Sequence, residues 1–215
     1  MKKILSVIAI LFFLNSVDCV SQEISQQSGA YDFRGIKLGI TLDEFKDQAR
    51  SIMPKPFYDS FRKKTINSNI QCINQSPEII SCSFWSDSGR KDGVTLGDTV
   101  STSYGFEFSK QLSGEKYVLY KIWIWPKSWA YESIYAGLLQ KFGKPKLIKS
   151  ENLQSMGGAV FKNTISTWKN KYSKISLEKY YSDIENGSLE YSLSDYEDFI
   201  ESKKLKEKIK SSFGM

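Results

Sequence analysis

Apolar residues early in the chain recur at the spacing of an amphipathic helix. Phe45 and Ala49 fall on one face, and Pro54 would end the helix. Its start is a capping box, in which the Thr41 side chain accepts from the Glu44 backbone and Glu44 reaches back to the Thr41 N–H. We therefore predict a helix that begins just after Thr41.

The segment before this helix, "FRGIKLGITLDEF", contains two glycines, Gly35 and Gly39. A nucleotide-binding loop would carry a third glycine within a ~30-residue βαβ unit. Neither feature is present, and a complete helix-start signal follows Gly39. We interpret residues 32–38 as a short strand and the glycines as the hinge that turns it into the helix.

Alternating apolar and polar residues predict antiparallel strands after the helix. In residues 80–84 apolar side chains alternate with serines, and residues 102–108 have the pattern of a half-buried strand. Residues 116–125 are apolar on both faces except at Lys121. Val118, Tyr120, Ile122 and Ile124 make up one predicted face. Such a strand is either central and covered twice, or it presents one face to a partner.

A second block repeats this order of elements. A helix capped by Ser128 ends at Gly143, and strands are predicted at residues 159–168, 174–181 and 189–193. Asn186-Gly187 is a strong hairpin signal between the last two strands. Ser194 then opens a capping box with Glu197, which predicts a final helix carrying Phe199, Leu205 and Ile209.

The order helix, strands, helix, strands, helix predicts an α+β fold. We expect one or more antiparallel sheets with the helices packed on one face. The two blocks suggest two similar helix-plus-meander modules, residues 30–126 and 127–215, or one continuous domain.

The beginning of the chain has the pattern of a secretory signal peptide. A basic start at Lys2 and Lys3 precedes the apolar run Ile4–Leu14, which is too short to span a bilayer. We expect residues 1–21 to be removed and the protein to be exported to the periplasm. Asp18 stands where a lipoprotein signal has a small residue before Cys19, so we expect no lipid anchor.

Cys72 and Cys82 would then remain as a pair in an oxidising compartment. They flank a Ser-Pro turn, and we predict that they form a disulfide between neighbouring strands. A redox or metal pair is the alternative, but the spacing is far from CxxC and the chain contains no histidine.

The formal net charge is +6, and basic residues concentrate in the run Lys203–Lys210. An exported protein meets little nucleic acid, so we expect no nucleic-acid partner. The basic run could instead contact anionic lipid headgroups or an acidic protein, or simply be a solvated helix face.

The absence of histidine excludes Ser-His-Asp and Cys-His nucleophilic sites and histidine-ligated metals. Paired carboxylates remain open as a catalytic device, with Asp87, Asp92 and Asp98 in a glycine-rich loop as candidates. Their spacing matches neither a glycosidase pair nor a calcium loop. We expect a protein that is not an enzyme and that needs no cofactor or metal.

The candidate binding site is aromatic. Trp123, Trp125 and Trp129 lie within seven residues, close to Tyr117 and Lys121. Exposed tryptophan and tyrosine beside lysine suit a protein-binding hot spot or a platform for stacking sugars. The alternative is that a helix covers this face and that the rings belong to the core.

Two turns carry a family resemblance: a G-x-x-x-G-x-[ST] turn before a helix and an F/Y-G-x-P turn after one. The matching residues are Gly35, Gly39, Thr41, Phe142, Gly143 and Pro145. In these turns the chain resembles small exported bacterial proteins of helix-plus-sheet modules, a group similar to beta-lactamase inhibitor protein and to small lipoproteins of outer-membrane assembly. The resemblance implies a protein that binds other proteins.

We therefore predict an exported inhibitor or immunity protein that neutralises an envelope-targeting enzyme or toxin by stoichiometric binding. The alternative is an envelope assembly factor or a carbohydrate- or peptidoglycan-binding protein, which would contact the membrane surface or the cell wall.

Overall fold

The structure is a computed structural model, and it describes residues 29–55, 57–60, 63–87, 90–96, 99–110, 114–155, 157–196 and 198–199. The predicted signal peptide, the basic run Lys203–Lys210 and most of the predicted final helix lie outside the described residues. Of that helix, residues 194–196 and 198–199 are helical.

The first two of the three predicted helices are present, α1 with a capped start and α2 with a defined end. Helix α1 (Leu42–Ala49) has the predicted capping box: the Thr41 N–H donates to Glu44 Oε2 over 2.7 Å, and Thr41 Oγ1 accepts from the Glu44 N–H. Helix α2 (Tyr131–Phe142) ends at Gly143, whose φ is 74°. Ser128 begins a 3₁₀ turn that precedes α2. It does not cap α2, because its hydroxyl donates to Ile184 O instead.

The described residues form fourteen strands. These are β1 (Asp32–Phe33), β2 (Ile36–Lys37), β3 (Phe57–Asp59), β4 (Lys64–Ile66), β5 (Ser68–Ser76), β6 (Ile79–Ser86), β7 (Val94–Leu96), β8 (Thr99–Ser101), β9 (Tyr104–Ser109), β10 (Val118–Ile124), β11 (Leu147–Gln154), β12 (Val160–Lys169), β13 (Ser173–Glu178) and β14 (Ser188–Leu193).

Eight of these strands form one antiparallel sheet in the order β11-β12-β13-β14-β10-β9-β6-β5. The pairs β1–β2, β3–β4 and β7–β8 are separate two-stranded ribbons. The predicted antiparallel sheet is therefore confirmed. The described part of the chain is mainly β, since α1 and α2 have only 8 and 12 residues.

The sheet joins strands from both predicted modules. In the first half α1 precedes β5, β6, β9 and β10, and in the second half α2 precedes β11 to β14. Within each half neighbouring strands follow chain order, apart from the inserted β7–β8 ribbon. The last strands of the two halves, β10 and β14, pair with each other, so the strand order is symmetric about that pairing.

One face of the sheet forms the hydrophobic core. Ile122 lies opposite Phe106 on one side and Tyr191 on the other, and all three are buried. From α1, Phe45 contacts the rings of Phe106 and Phe108 at centroid distances of 4.8 and 5.1 Å. Residues of both helices and both halves belong to one buried cluster.

Residues 32–38 are a hairpin rather than the predicted single strand. The chain reverses between β1 and β2 at Arg34 and Gly35, whose φ values are 53° and 91°. Gly39 also has a φ of 91°, and its N–H donates to Leu119 O over 2.8 Å. Leu119 N–H in turn donates to Ile40 O, so the predicted hinge lies alongside the start of β10.

The predicted buried faces of two strands, β9 and β10, are also wrong in detail. Strand β9 was predicted to be half-buried, but Gly105 and Ser109 on its outer face are also buried. In β10 the register of pairing with β9 shifts between Leu119 and Lys121, which identifies a β-bulge at Tyr120. The bulge places Leu119 in the core with Ile122, whereas strict alternation assigned Tyr120 to that face.

The predicted disulfide between Cys72 and Cys82 is confirmed. The two residues lie directly opposite each other on β5 and β6, with Cα atoms 4.1 Å apart. Because β5 is an edge strand, this bond fixes the edge of the sheet to its neighbour.

None of the helices in the described part of the chain has the length and apolar character that a membrane-spanning helix requires.

We predict that reduction of the Cys72–Cys82 bond lowers the free energy of unfolding by about 2–3 kcal/mol, because the unfolded chain loses a loop constraint. Urea unfolding with and without dithiothreitol measures this difference. A C72S/C82A variant should unfold at the same urea concentration in both buffers. Equal midpoints for the native sequence in the two buffers would contradict a stabilising disulfide.

Candidate functional site

The second face of the eight-stranded sheet is half-exposed. Strands β6 and β13 alternate strictly between buried and half-exposed residues, as an antiparallel sheet does when one side meets water. Trp123, Glu190 and Ser176 lie in one cross-strand row on this second face. We call it the open face.

Three aromatic rings pack against one another in tilted contacts where the open face meets the end of β10. Trp123 and Trp125 have ring centroids 5.1 Å apart, and Trp125 and Tyr181 have centroids 5.7 Å apart. Trp123 is half-buried, whereas Trp125 is 43% and Tyr181 41% exposed. These three residues form what we call the aromatic patch.

The indole of Trp123 is held by β9. Its Nε1–H donates to Glu107 Oε1 over 2.7 Å. The ring lies across Gly105, where a Cβ atom would stand only 2.8 Å from the indole. Glycine at position 105 therefore leaves room for the ring, and Glu107 fixes its orientation.

Glu107 has a second donor. The Tyr120 hydroxyl donates to Glu107 Oε2 over 2.6 Å, so each carboxylate oxygen accepts from a different aromatic residue. The Tyr120 ring in turn packs on Tyr196 at a centroid distance of 3.7 Å. Burial raises the pKa of the Tyr120 hydroxyl well above its ordinary value, and the bond to Glu107 adds to that rise.

Lys91 lies beside the patch. Its ammonium group donates to Tyr104 O over 2.5 Å and stands 4.6 Å from the Tyr104 ring centroid and 5.5 Å from that of Trp123. Burial lowers the pKa of Lys91. The lysine thus adds a cation at the Trp123 end of the aromatic patch.

Lys121 is paired across the open face. Its Nζ lies 2.7 Å from Glu190 Oε2, and both side chains are about two-thirds buried. Burial alone would lower the pKa of Lys121, but the hydrogen bond and charge of Glu190, with the charge of Glu107, leave it raised. The pair gives the open face fixed charges of both signs next to Trp123.

The structure brings three of the predicted site residues together, Lys121, Trp123 and Trp125. Trp129 is the most exposed tryptophan, at 65%, and lies in the 3₁₀ turn Ser128–Ala130. Tyr117 lies elsewhere, since its hydroxyl donates to Pro77 O and its ring packs against the core cluster.

Five further residues of the site, Lys91, Gly105, Glu107, Tyr181 and Glu190, were not predicted. Gly105 and Glu107 do carry a sequence signal, because they occupy the non-core positions of a strand whose other positions are aromatic. Tyr181 and Lys91 reach Trp125 and Trp123 from distant loops, and no local pattern marks them.

The loop aspartates have structural contacts. Asp87 accepts from the backbone and side-chain nitrogens of Asn67, and Asp92 accepts from the Ser68 hydroxyl over 2.6 Å. Asp98 lies outside the described residues. The described part of the chain contains no group of three or more Asp, Glu, Cys or His residues placed to hold a metal ion.

A groove of about 340 Å³ lies beside α2 and the β1–β2 hairpin. Leu189 and Tyr191 line it, and both belong to the buried core cluster. An ion pair between Lys141 and Asp32, 2.6 Å apart, lies at the groove. The groove therefore lies on the core side of the sheet and is separate from the aromatic patch.

Comparisons with protein-family models, with curated protein sequences and with solved structures find no match to this chain.

We predict that Gly105→Ala destabilises the protein by about 1–3 kcal/mol, because the new methyl group collides with the Trp123 ring. In a Trp123→Ala background the same change should cost little or even stabilise, since alanine is favoured over glycine in a strand. Urea unfolding of the four proteins of this double-mutant cycle measures the coupling. Equal costs in both backgrounds would mean that the ring does not lie over Gly105.

We predict that stability falls at alkaline pH and that Tyr120 contributes to the fall. The unfolded chain loses tyrosine protons near pH ~10, but folded Tyr120 keeps its proton because its pKa is raised. The contribution of Tyr120 to the free energy of unfolding is therefore complete below pH ~10. Above that pH it falls by up to ~1.4 kcal/mol per pH unit.

Urea unfolding at several pH values between about 9 and 12 measures this slope, with the window set by the ordinary tyrosine pKa. Tyr120→Phe should make the decline shallower. Tyr172→Phe, at a residue that is 45% exposed, should leave it unchanged. A slope unaffected by Tyr120→Phe would contradict the prediction.

Proposed function

We propose that the protein is an exported protein-binding module that engages its partner through the aromatic patch. The observation that carries this proposal is a set of partly exposed aromatic rings held in fixed positions on the open face. Within that class, the function we propose is an inhibitor or immunity protein that neutralises an envelope-targeting enzyme or toxin by stoichiometric binding.

The rings have the character of interface anchors. Tryptophan and tyrosine dominate binding hot spots because each buries a large area with few rotatable bonds. The hydrogen bond from Trp123 to Glu107 and the packing of Trp125 between Trp123 and Tyr181 restrict these side chains before a partner arrives. Less side-chain freedom would then be lost on binding.

The surroundings of the patch also suit a protein partner. Next to Trp123, the Lys121–Glu190 pair and Glu107 provide oriented charges and hydrogen-bonding groups, as the polar rim of an interface does. Lys91 adds a partly buried cation. A partner that presents an apolar group flanked by an acidic side chain would match both features.

The aromatic patch is exposed at Trp125 and Tyr181, while Tyr196 from the helical residues 194–196 packs on Tyr120 elsewhere on the open face. We infer that α1 and α2 cover the opposite, core-forming face, because Phe45 of α1 contacts Phe106 and Tyr131 of α2 contacts Ser166 there. Two helix-plus-meander halves with exposed aromatic rings on the other sheet face agree with the resemblance to beta-lactamase inhibitor protein and outer-membrane assembly modules. Members of that group mostly bind other proteins.

The alternative function is recognition of a cell-wall carbohydrate or a role in envelope assembly. The adjacent exposed rings of Trp125 and Tyr181 favour it, since such rings can also stack on sugars. The two functions differ in what co-purifies: a stoichiometric protein in the first case, peptidoglycan fragments without such a protein in the second.

We predict that Trp125→Ala weakens partner binding by about 2–4 kcal/mol, roughly 30- to 1,000-fold, because it removes a ring at the centre of the patch. The tagged full chain is purified from the cell envelope, and its bound molecules are identified by mass spectrometry. Titration calorimetry with the recovered partner then gives the affinities. Trp129→Ala tests whether the interface extends to the 3₁₀ turn.

Tyr172→Ala is the matched control, because Tyr172 is exposed to a similar degree (45%) but lies between β12 and β13. Circular dichroism establishes that each variant is folded. Unchanged affinity in folded Trp125→Ala would refute the patch as the binding site, and recovery of peptidoglycan fragments alone would favour the alternative.

A further inference from the structure

Strand β11 is one edge of the eight-stranded sheet. Among the described strands it pairs with β12 alone, so its outer backbone groups face away from the sheet. Leu147 and Ile148 at its start are 60% and 55% exposed, one on each face of the strand. An edge with exposed apolar side chains can pair with another strand.

The sequence of β11 is complementary to itself in one antiparallel register. If two copies pair with Ser150 opposite Ser150, Lys149 of each copy lies opposite Glu151 of the other, and Leu147 lies opposite Leu153. Directly opposite residues on antiparallel strands share a face and interact. Within one chain Lys149 Nζ already lies 2.8 Å from Glu151 Oε2. In this register each of these charges also faces its opposite in the other copy, and two leucine contacts form, all related by a two-fold axis.

The neighbouring registers lack this match. If the pairing is centred on Lys149 instead of Ser150, Lys149 lies opposite Lys149 of the other copy. If it is centred on Glu151, Glu151 lies opposite Glu151. Like charges directly opposite each other are destabilising. The charges therefore select the Ser150-centred register.

The other edge of the sheet has no comparable signal. Strand β5 contains no charged residue and continues into Pro77, and its neighbour β6 holds it through the disulfide. Nothing in its sequence selects one self-pairing register over another. The self-complementary edge is β11.

We propose that two copies of this chain associate through antiparallel pairing of their β11 strands about Ser150, forming a continuous sixteen-stranded sheet. Because the two-fold axis of such a pair is perpendicular to the sheet, both open faces lie on the same side. The two aromatic patches would be roughly 40 Å apart along the sheet, at the usual strand spacing. The dimer does not depend on the function proposed above, but it would make that binding bivalent.

Charge reversal tests the register. The full chain is studied by sedimentation equilibrium, and we expect the native protein to have twice the mass of one chain. Lys149→Glu and Glu151→Lys each place like charges opposite each other and should weaken the dimer at least tenfold. The double variant K149E/E151K restores opposite charges in the same register and should restore the dimer.

A cysteine placed on the two-fold axis tests the same register without changing any charge. Ser150→Cys should form an intermolecular disulfide on a non-reducing gel, because the two residues at position 150 face each other. Asn152→Cys is the matched control, since in this register it lies opposite Ile148 and not opposite its own copy. Lys46→Glu on α1 controls for a general effect of charge.

A native protein with the mass of one chain would overturn the proposal. So would a double variant that stays as dissociated as the single variants, or equal crosslinking at positions 150 and 152. Circular dichroism of each variant shows whether the single chain is folded. If a charge variant does not fold, the cysteine pair still decides.

Discussion

The pairing of β10 with β14 is the contact on which the rest of the structure depends. Four residue pairs, from Lys121–Ser192 to Ile124–Leu189, join the last strand of the first half to the last strand of the second. On one face this seam places Ile122 beside Tyr191, and so makes a single core from two helix-plus-meander halves. On the other face it places Lys121 and Trp123 against Glu190.

Strand β10 serves both faces because it contains a bulge. Without the shift at Tyr120, strict alternation would place Leu119 on the same side as Trp123 and remove it from the core. With it, Leu119 is buried and Tyr120 turns to the open face, where its hydroxyl reaches Glu107. The same irregularity thus completes the core and supplies the second donor to the carboxylate that orients Trp123.

Local signals predicted both long helices and six strands of the large sheet, β6, β9, β10 and β12 to β14, but not the ribbon strands β3, β4, β7 and β8 or the edge strand β11. Contacts between distant residues account for the parts of the site that these signals missed. The capping box at Thr41, the strand pattern around Ile80 and the Cys72–Cys82 pair each depend on neighbours in sequence or on one adjacent strand. The position of the Trp123 ring instead depends on Glu107 and Gly105 in another strand. The position of the Trp125 ring depends on Tyr181, which is 56 residues away in the sequence. The bulge at Tyr120 also places Leu119 on the core face that the prediction gave to Tyr120. An alternating pattern of apolar and polar residues cannot reveal such an inserted residue.

The two halves share a layout but differ on the open face. In the first half, β9 and β10 place Glu107, Lys121 and Trp123 there. In the second half, β13 and β14 contribute mainly serine, lysine and glutamate, such as Ser176 and Glu190. If the large aromatic rings supply most of the binding affinity, that affinity comes mostly from the first half and from the nearby Tyr181. The second half contributes the polar continuation of the face and the charged edge at β11, so a symmetric strand order carries an asymmetric surface.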